Sequence, residues 1–168
     1  MDSQTDHIDE VMVRVPITHP DAQRLVEEVQ AEYVARYGGE DATPLDPAMF
    51  EPPAGAFFVA YRDGKAVATG AWRLRDDVEA FGTFQTAEIK RMYVAPAARG
   101  LGVARRMLAR LEDSAAVVGA RAMILETGSA QPEAMALYES SGYARIESFG
   151  HYMTSPENRC YGKPIGSG

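Results

Sequence analysis

The sequence predicts a single α/β domain on a mixed sheet, mostly antiparallel, with one parallel crossover at its centre and helices on its flanks. Three observations carry this expectation. Residues 11–15, 56–61, 65–74 and 87–94 read as strands, the second and third joined by the hairpin turn Arg62-Asp63-Gly64. Between 101 and 119, Ala104, Met107, Leu108, Leu111, Ala115 and Val118 recur at spacings of three and four, an apolar stripe along one helix. That helix lies between the strand ending at Val94 and a buried-strand pattern at 122–127, the order of a right-handed parallel crossover.

The other elements follow in order. Thr18 is placed to cap a helix with Pro20 in its first turn, and Leu25, Val26, Val29, Tyr33 and Val34 carry its apolar face to about Tyr37. Gly38-Gly39 ends it. Residues 40–55 hold four prolines and sustain neither period, so they read as an irregular connection with a short helical turn near 46–50, a candidate substrate-side loop. A polar stretch at 75–83 leads into the fourth strand, which Pro96 terminates because proline has no N–H for a ladder. A shorter helix spans 132–141 and stops at Gly142, and 143–146 and 160–163 are weaker final strands. Trp72 and the Phe57-Phe58 pair read as core.

Bulk properties narrow the function. At 168 residues the chain is expected to form one domain, with 1–168 as its extent. A net charge of −7 argues against a general nucleic-acid binder, so any anionic ligand must meet a local cluster of donors. The single Cys160 excludes an intrachain disulfide and fits a reducing compartment. The opening residues are acidic and polar, unlike a signal peptide, and no apolar run approaches the ~20 residues of a membrane span. A cytoplasmic protein without membrane or nucleic-acid partners is the expectation. Three scattered histidines and one cysteine have no ligand spacing, so no metal is expected.

The most informative segment joins Val94 to the central helix. Its connection ends in Arg99-Gly100-Leu101-Gly102, two glycines that let backbone turn tightly and approach a ligand. The helix that follows opens with N–H groups lacking intrahelical partners, and its dipole favours an anion there. Arg99, Arg105 and Arg106 crowd this end, where positive charge opposes the dipole by ~0.3–1 kcal/mol each and an arriving phosphate would reverse that cost. No Gly-x-x-x-x-Gly-Lys-Ser/Thr loop is present. A dinucleotide fingerprint fails at its third glycine, where Arg105 stands, and five residues separate Val94 from the first.

Arg99-Gly-Leu-Gly102-Val-Ala104 fits the Arg/Gln-x-x-Gly-x-Gly/Ala signature, Tyr93-Val94-Ala-Pro96 precedes it, and Leu137-Tyr138-Glu-Ser-Ser-Gly142-Tyr143 follows downstream. With these segments the sequence resembles the GNAT superfamily of acetyl-CoA-dependent N-acetyltransferases, most firmly over about 85–147. The resemblance implies a GNAT-like fold, with acetyl-CoA as co-substrate. It implies that the backbone of Met92, Tyr93 and Val94 pairs with the pantetheine arm. It implies that Arg99, Gly100, Leu101, Gly102, Val103 and Ala104, with Arg105 as a possible addition, bind the pyrophosphate. Gln131 stands where the family often has a CoA-contacting Asn, and Tyr138 matches the tyrosine assigned to protonate the departing thiolate. Homodimers are a habit of the family.

The acceptor side has no motif. Attack on a thioester needs a neutral amine, hence a base or a water chain leading to one. Glu88 is the first candidate, since some family members place a catalytic glutamate there; strand alternation puts it on one face with Lys90, Met92 and Val94 unless a bulge intervenes. Glu126, closing the next strand, is the second, and His151 could line the acceptor cleft. The expected activity is direct acetyl transfer from acetyl-CoA to a primary amine of a small molecule. A protein Lys or N-terminal acetyltransferase and a non-catalytic CoA-binding sensor are the alternatives.

Overall fold

The protein is described from a computed structural model covering residues 9–39, 46–129, 131–150 and 154–166. Its elements are β1 (Glu10–Arg14), α1 (Pro20–Tyr37), β2 (Gly55–Arg62), β3 (Lys65–Arg75), β4 (Thr86–Val94), α2 (Val103–Val117), β5 (Ala122–Gly128), α3 (Pro132–Ser140), β6 (Ala144–Arg145) and β7 (Asn158–Pro164). Single 3-10 turns occur at Pro47–Phe50 and Pro96–Ala98. The strands form one sheet in the order β1-β2-β3-β4-β5-β7-β6, antiparallel except for β4 beside β5. The predicted α/β class, mixed sheet and central parallel crossover are therefore all present.

Two layers of side chains bury the sheet. On one face Leu25, Val29 and Ala22 of α1 pack on Phe57, Val59, Ala71 and Tyr93. On the other, Val103, Met107, Leu108, Leu111 and Ala115 of α2 pack on Phe58, Trp72, Ala87, Ile89 and Met123. Trp72 is fully buried and its indole N–H donates to Ser114 of α2 at 3.0 Å, so the expected core role of Trp72 and the Phe pair holds. Gly70 explains how α2 comes this close. A Cβ there would sit 2.6 Å from the Met107 side chain and 3.1 Å from the Met92 sulfur.

Local departures from the sequence reading have local causes. His19, not Thr18, caps α1: Pro20 is the first helical residue, holds the residue before it extended, and leaves the His19 Nδ1 to accept from the Asp21 N–H at 3.1 Å. Helix α2 is shorter than 101–119, because Gly102 is left-handed at φ 79° and serves as its N-cap. Val103 is thus buried, while Val118, beyond the helix, is 41% exposed. β6 keeps only two residues of the expected 143–146, since Gly142 turns at φ 92° and the Tyr143 N–H returns to the Tyr138 carbonyl. The helical turn expected near 46–50 is present, capped by the Asp46 carboxylate accepting from the Ala48 N–H at 3.0 Å.

A bulge in β4 has the largest consequence for the site. Thr69 faces Tyr93 and Ala71 faces Lys90, so the single Gly70 of β3 opposes both Arg91 and Met92. Arg91 takes φ 56°, and its carbonyl accepts from the Thr69 hydroxyl at 2.7 Å. The extra residue inverts the alternation beyond it. Glu88, Lys90 and Tyr93 face α1, whereas Ile89, Met92 and Val94 face α2. The expectation that Glu88, Lys90, Met92 and Val94 share a face is corrected accordingly.

A carboxylate hub ties the edge of the sheet to α2. Glu10 of β1 accepts from Arg62 at 2.6 Å and from Arg106 at 2.8 Å. The Arg106 hydrogen bond, above all, holds its carboxyl below the ordinary 4.5. A depressed carboxyl contributes stability above its unfolded value and loses it as pH falls through the lower folded one. Glu10→Gln should cost about 1 kcal/mol at neutral pH, with half-exposed Arg106 screened by solvent, and almost nothing once the wild-type carboxyl is protonated. Urea melts of both proteins from pH 7 down through pH 4 measure the convergence.

Candidate active site

The site begins where the parallel pairing stops. β4 and β5 are hydrogen-bonded only through Thr86–Ala122, Ala87–Met123 and Glu88–Ile124. Beyond these pairs β4 continues beside β3 to Val94, and β5 continues beside β7 to Gly128. Their facing edges therefore part, and β4 presents backbone from Ile89 onward with no strand among the described residues on that side. Met92, Tyr93 and Val94 lie on this stretch. The Val94 carbonyl is engaged by the Arg99 Nε–H at 2.9 Å.

The connection to α2 is built as the glycines require. Gly100 and Gly102 stand at φ 80° and 79°, a region costly for any residue with a Cβ. No side chain caps α2, and the Arg106 N–H is the one that bonds back to the Gly102 carbonyl, at 3.1 Å. The N–H groups of Val103, Ala104 and Arg105 precede the first intrahelical bond and point out of the helix end. Such an end accepts a phosphate through main-chain donors and dipole together, so the residues present fit the pyrophosphate of a coenzyme A.

The three arginines divide. Arg99 pairs with Glu32 of α1 and lies over the Tyr93 ring at 5.8 Å. Arg106 is turned onto Glu10 and the Leu101 carbonyl. Arg105 instead reaches the neutral hydroxyls of Ser140 and Ser141, at 3.0 and 3.2 Å. Two of the charges that would oppose the helix dipole are thus neutralised by residues far away in sequence, and Arg105 keeps its charge at the mouth of the nest.

Tyr138 lies on α3, 6% exposed, edge-on to Tyr143 at 5.9 Å and tilted against Tyr161 at 6.2 Å. Burial pushes its phenol well above the ordinary 10, with Tyr33 of α1 adding to the rise. A shallow, open pocket is lined by Val29, Glu32 and Tyr33 of α1 together with Gln131. Gln131 is the N-cap position of α3.

Glu88 is 1% exposed, and one of its oxygens accepts from Arg73 at 3.0 Å and from Arg75 at 2.7 Å. Its other oxygen lies 3.7 Å from the Lys90 ammonium. Glu126 shares this face on β5, and a Cβ on Gly150 would strike its carboxylate. Cys160, opposite Glu126, is 1% exposed, and burial pushes its thiol up, which leaves it unsuited to hold an acetyl group. His151 falls outside the described residues.

The Arg99–Ala104 nest thus follows directly on the free edge of β4, Tyr138 is buried in the core on the α2 side, Gln131 lines a pocket with α1, and Glu88 lies on the α1 side of the sheet. Sequence reading missed Tyr33, Arg73 and Arg75. Arg73 and Arg75 alternate with the apolar Trp72 and Leu74, a pattern that already assigns them a common face. Tyr33 has no such signal, having been read as part of the apolar stripe of α1.

Comparison with known proteins identifies the family. Residues 22–143 match the model of the Acetyltransferase (GNAT) family. An IAA acetyltransferase of Azospirillum brasilense is 37% identical over 142 residues, covering 84% of this chain and 89% of that protein. YjgM of Escherichia coli, an uncharacterized N-acetyltransferase, is 31% identical over 134 residues, covering 77% and 78%. A Klebsiella pneumoniae crystal structure, of a protein provisionally named an acyl-CoA N-acyltransferase, superposes with a TM-score of 0.78 at 25% identity, covering 94% and 98%. The chain belongs to the GNAT acetyltransferase family and is an acetyl-CoA-dependent acyltransferase. No helix among the described residues is long and apolar enough to cross a membrane.

Proposed function

We propose that the protein transfers an acetyl group from acetyl-CoA to a primary amine of a small molecule, directly and within a ternary complex. The observation that carries this reading is the uncapped N-terminus of α2, with Gly100 and Gly102 left-handed, opening beside the parted edges of β4 and β5. The N–H groups from Gly100 to Arg105, with the Arg105 guanidinium, hold the pyrophosphate. The backbone of Met92, Tyr93 and Val94 carries the pantetheine arm, and Gln131 contacts it from α3. Acetyl-CoA supplies an activated thioester.

The chain's own groups then manage protons. The amine must be neutral to form the new C–N bond, and Glu88 takes its proton through a water at the oxygen not held by the guanidinium groups. Glu126, on the opposite lip of the opening, is the other carboxylate positioned for this. As the C–S bond breaks, the Tyr138 hydroxyl gives its proton to the leaving sulfur. The buried Cys160 supports direct transfer over an acetyl-enzyme. A small acceptor is supported by the Azospirillum relative, whose name gives IAA and no protein as what it acts on.

Calorimetry with CoA and acetyl-CoA should give binding in the micromolar range. Thiol release should then appear with small amines and not with peptide Lys or N-terminal amines. No binding of either ligand at millimolar concentration would refute the reading, and transfer confined to peptides would move the acceptor to the protein class.

A further inference from the structure

We infer that the acceptor carries a carboxylate close to its reacting amine, and that Arg73 and Lys90 recognise it. This rests on the N-acetyltransferase reading above and adds the substrate class. A chain of net charge −7 concentrates Arg73, Arg75 and Lys90 on the α1-side face of β3 and β4, around one buried carboxylate. The three cations are not equally engaged. Arg75 is saturated, with two bonds to Asp77 at 2.8 and 2.9 Å and one to Glu88. Arg73 shares the same Glu88 oxygen and turns a second nitrogen onto the Met49 sulfur at 3.7 Å, a weak acceptor for a guanidinium.

Lys90 is the more telling. Its side chain is 9% exposed, yet among the described residues its nearest carboxylate oxygen stands at 3.7 Å, outside hydrogen-bond range. A cation withdrawn this far from water is costly without a close anionic partner. Lys90 adjoins the β4 bulge, just past the last pairing of β4 with β5, so an acceptor reaching the parted strands from the α1 side meets it. Glu126 lies on the same face across the opening. Positive charge at Arg73 and Lys90 with negative charge at Glu88 and Glu126 is complementary to an ammonium and a carboxylate held a few bonds apart, as in an amino acid. Arg73 offers a planar fork that matches a carboxylate in two-point contact.

The test is thiol release at saturating acetyl-CoA with amino acids, their carboxamides, the decarboxylated amines and 2-aminoethylphosphonate. For at least one amino acid, kcat/KM should exceed that of its carboxamide by about 100-fold, the worth of a charge-assisted contact pair. Lys90→Gln and Arg73→Gln should each shrink that ratio to about 10-fold or less through KM, with acetyl-CoA affinity retained, and Arg73→Lys should recover part of it. Carboxamides or simple amines transferring as well as the acids would overturn this inference while leaving the N-acetyltransferase reading intact. So would a preference for the phosphonate, or folded variants that keep the full ratio. Acetyl-CoA binding without transfer to any amine would sink both readings. Should the variants fail to fold, the wild-type ratio alone decides.

Discussion

Gly102→Glu is expected to weaken coenzyme A binding at least about 100-fold while the protein remains folded. Three effects converge at this position. Gly102 stands at φ 79°, where any residue with a Cβ pays ~1–2 kcal/mol of backbone strain. A Cβ there would come within 2.7 Å of an Arg106 guanidinium nitrogen, the flexible end of a side chain that can move aside. The carboxylate would then occupy the space facing the open N–H groups of α2, capping the helix with the wrong anion and repelling pyrophosphate. Gly102→Ala separates these contributions, since it carries the strain without the charge and should lose far less affinity. Gly100→Ala is a further control: it carries the same strain at φ 80° with no heavy atom within 4 Å of its Cβ. Titration calorimetry on the three variants, with thermal melts to confirm folding, reads the difference. A Gly102→Glu protein that is folded and binds CoA like the wild type would move the phosphate site elsewhere.

The contrast between this loop and the acceptor side shows what a linear sequence can carry. The nest was legible because its parts are contiguous: two glycines, a strand before them and a striped helix after them. The hairpin of β2 and β3 and the burial of Trp72 were legible for the same reason, since alternation and turn chemistry are local properties. The bulge was not. Arg91 carries no residue-type signal for φ 56°; the bulge arises because Gly70, on another strand, lets Met92 and Met107 close over it. The partners of the arginines were equally invisible, as Glu10 lies 96 residues from Arg106 and Glu32 lies 67 from Arg99. Net charge is no guide here either, because a total of −7 does not reveal that Arg73, Arg75 and Lys90 converge on one carboxylate.

Tyr138→Phe is expected to lower kcat by about 10²–10⁴ with acetyl-CoA affinity unchanged, the range spanned by loss of a positioned general acid. The substitution isolates the hydroxyl. Phenylalanine keeps the ring contacts with Tyr143 and Tyr161, so stability should change by less than about 1 kcal/mol, whereas truncation to alanine would open a core cavity costing ~3–5 kcal/mol. The pH profile gives an independent reading. Burial and Tyr33 raise the Tyr138 phenol above 10, so it remains protonated throughout an ordinary assay range. The wild-type rate should therefore climb as the acceptor amine loses its proton, with no descending limb from Tyr138 below about pH 10. In Tyr138→Phe water must protonate the sulfur, and the deficit should narrow for thioesters whose thiols are more acidic and leave without assistance. That narrowing distinguishes a proton donor from a tyrosine that only packs. A variant with wild-type turnover on every thioester would return Tyr138 to the core and assign the leaving-group proton to solvent entering between β4 and β5.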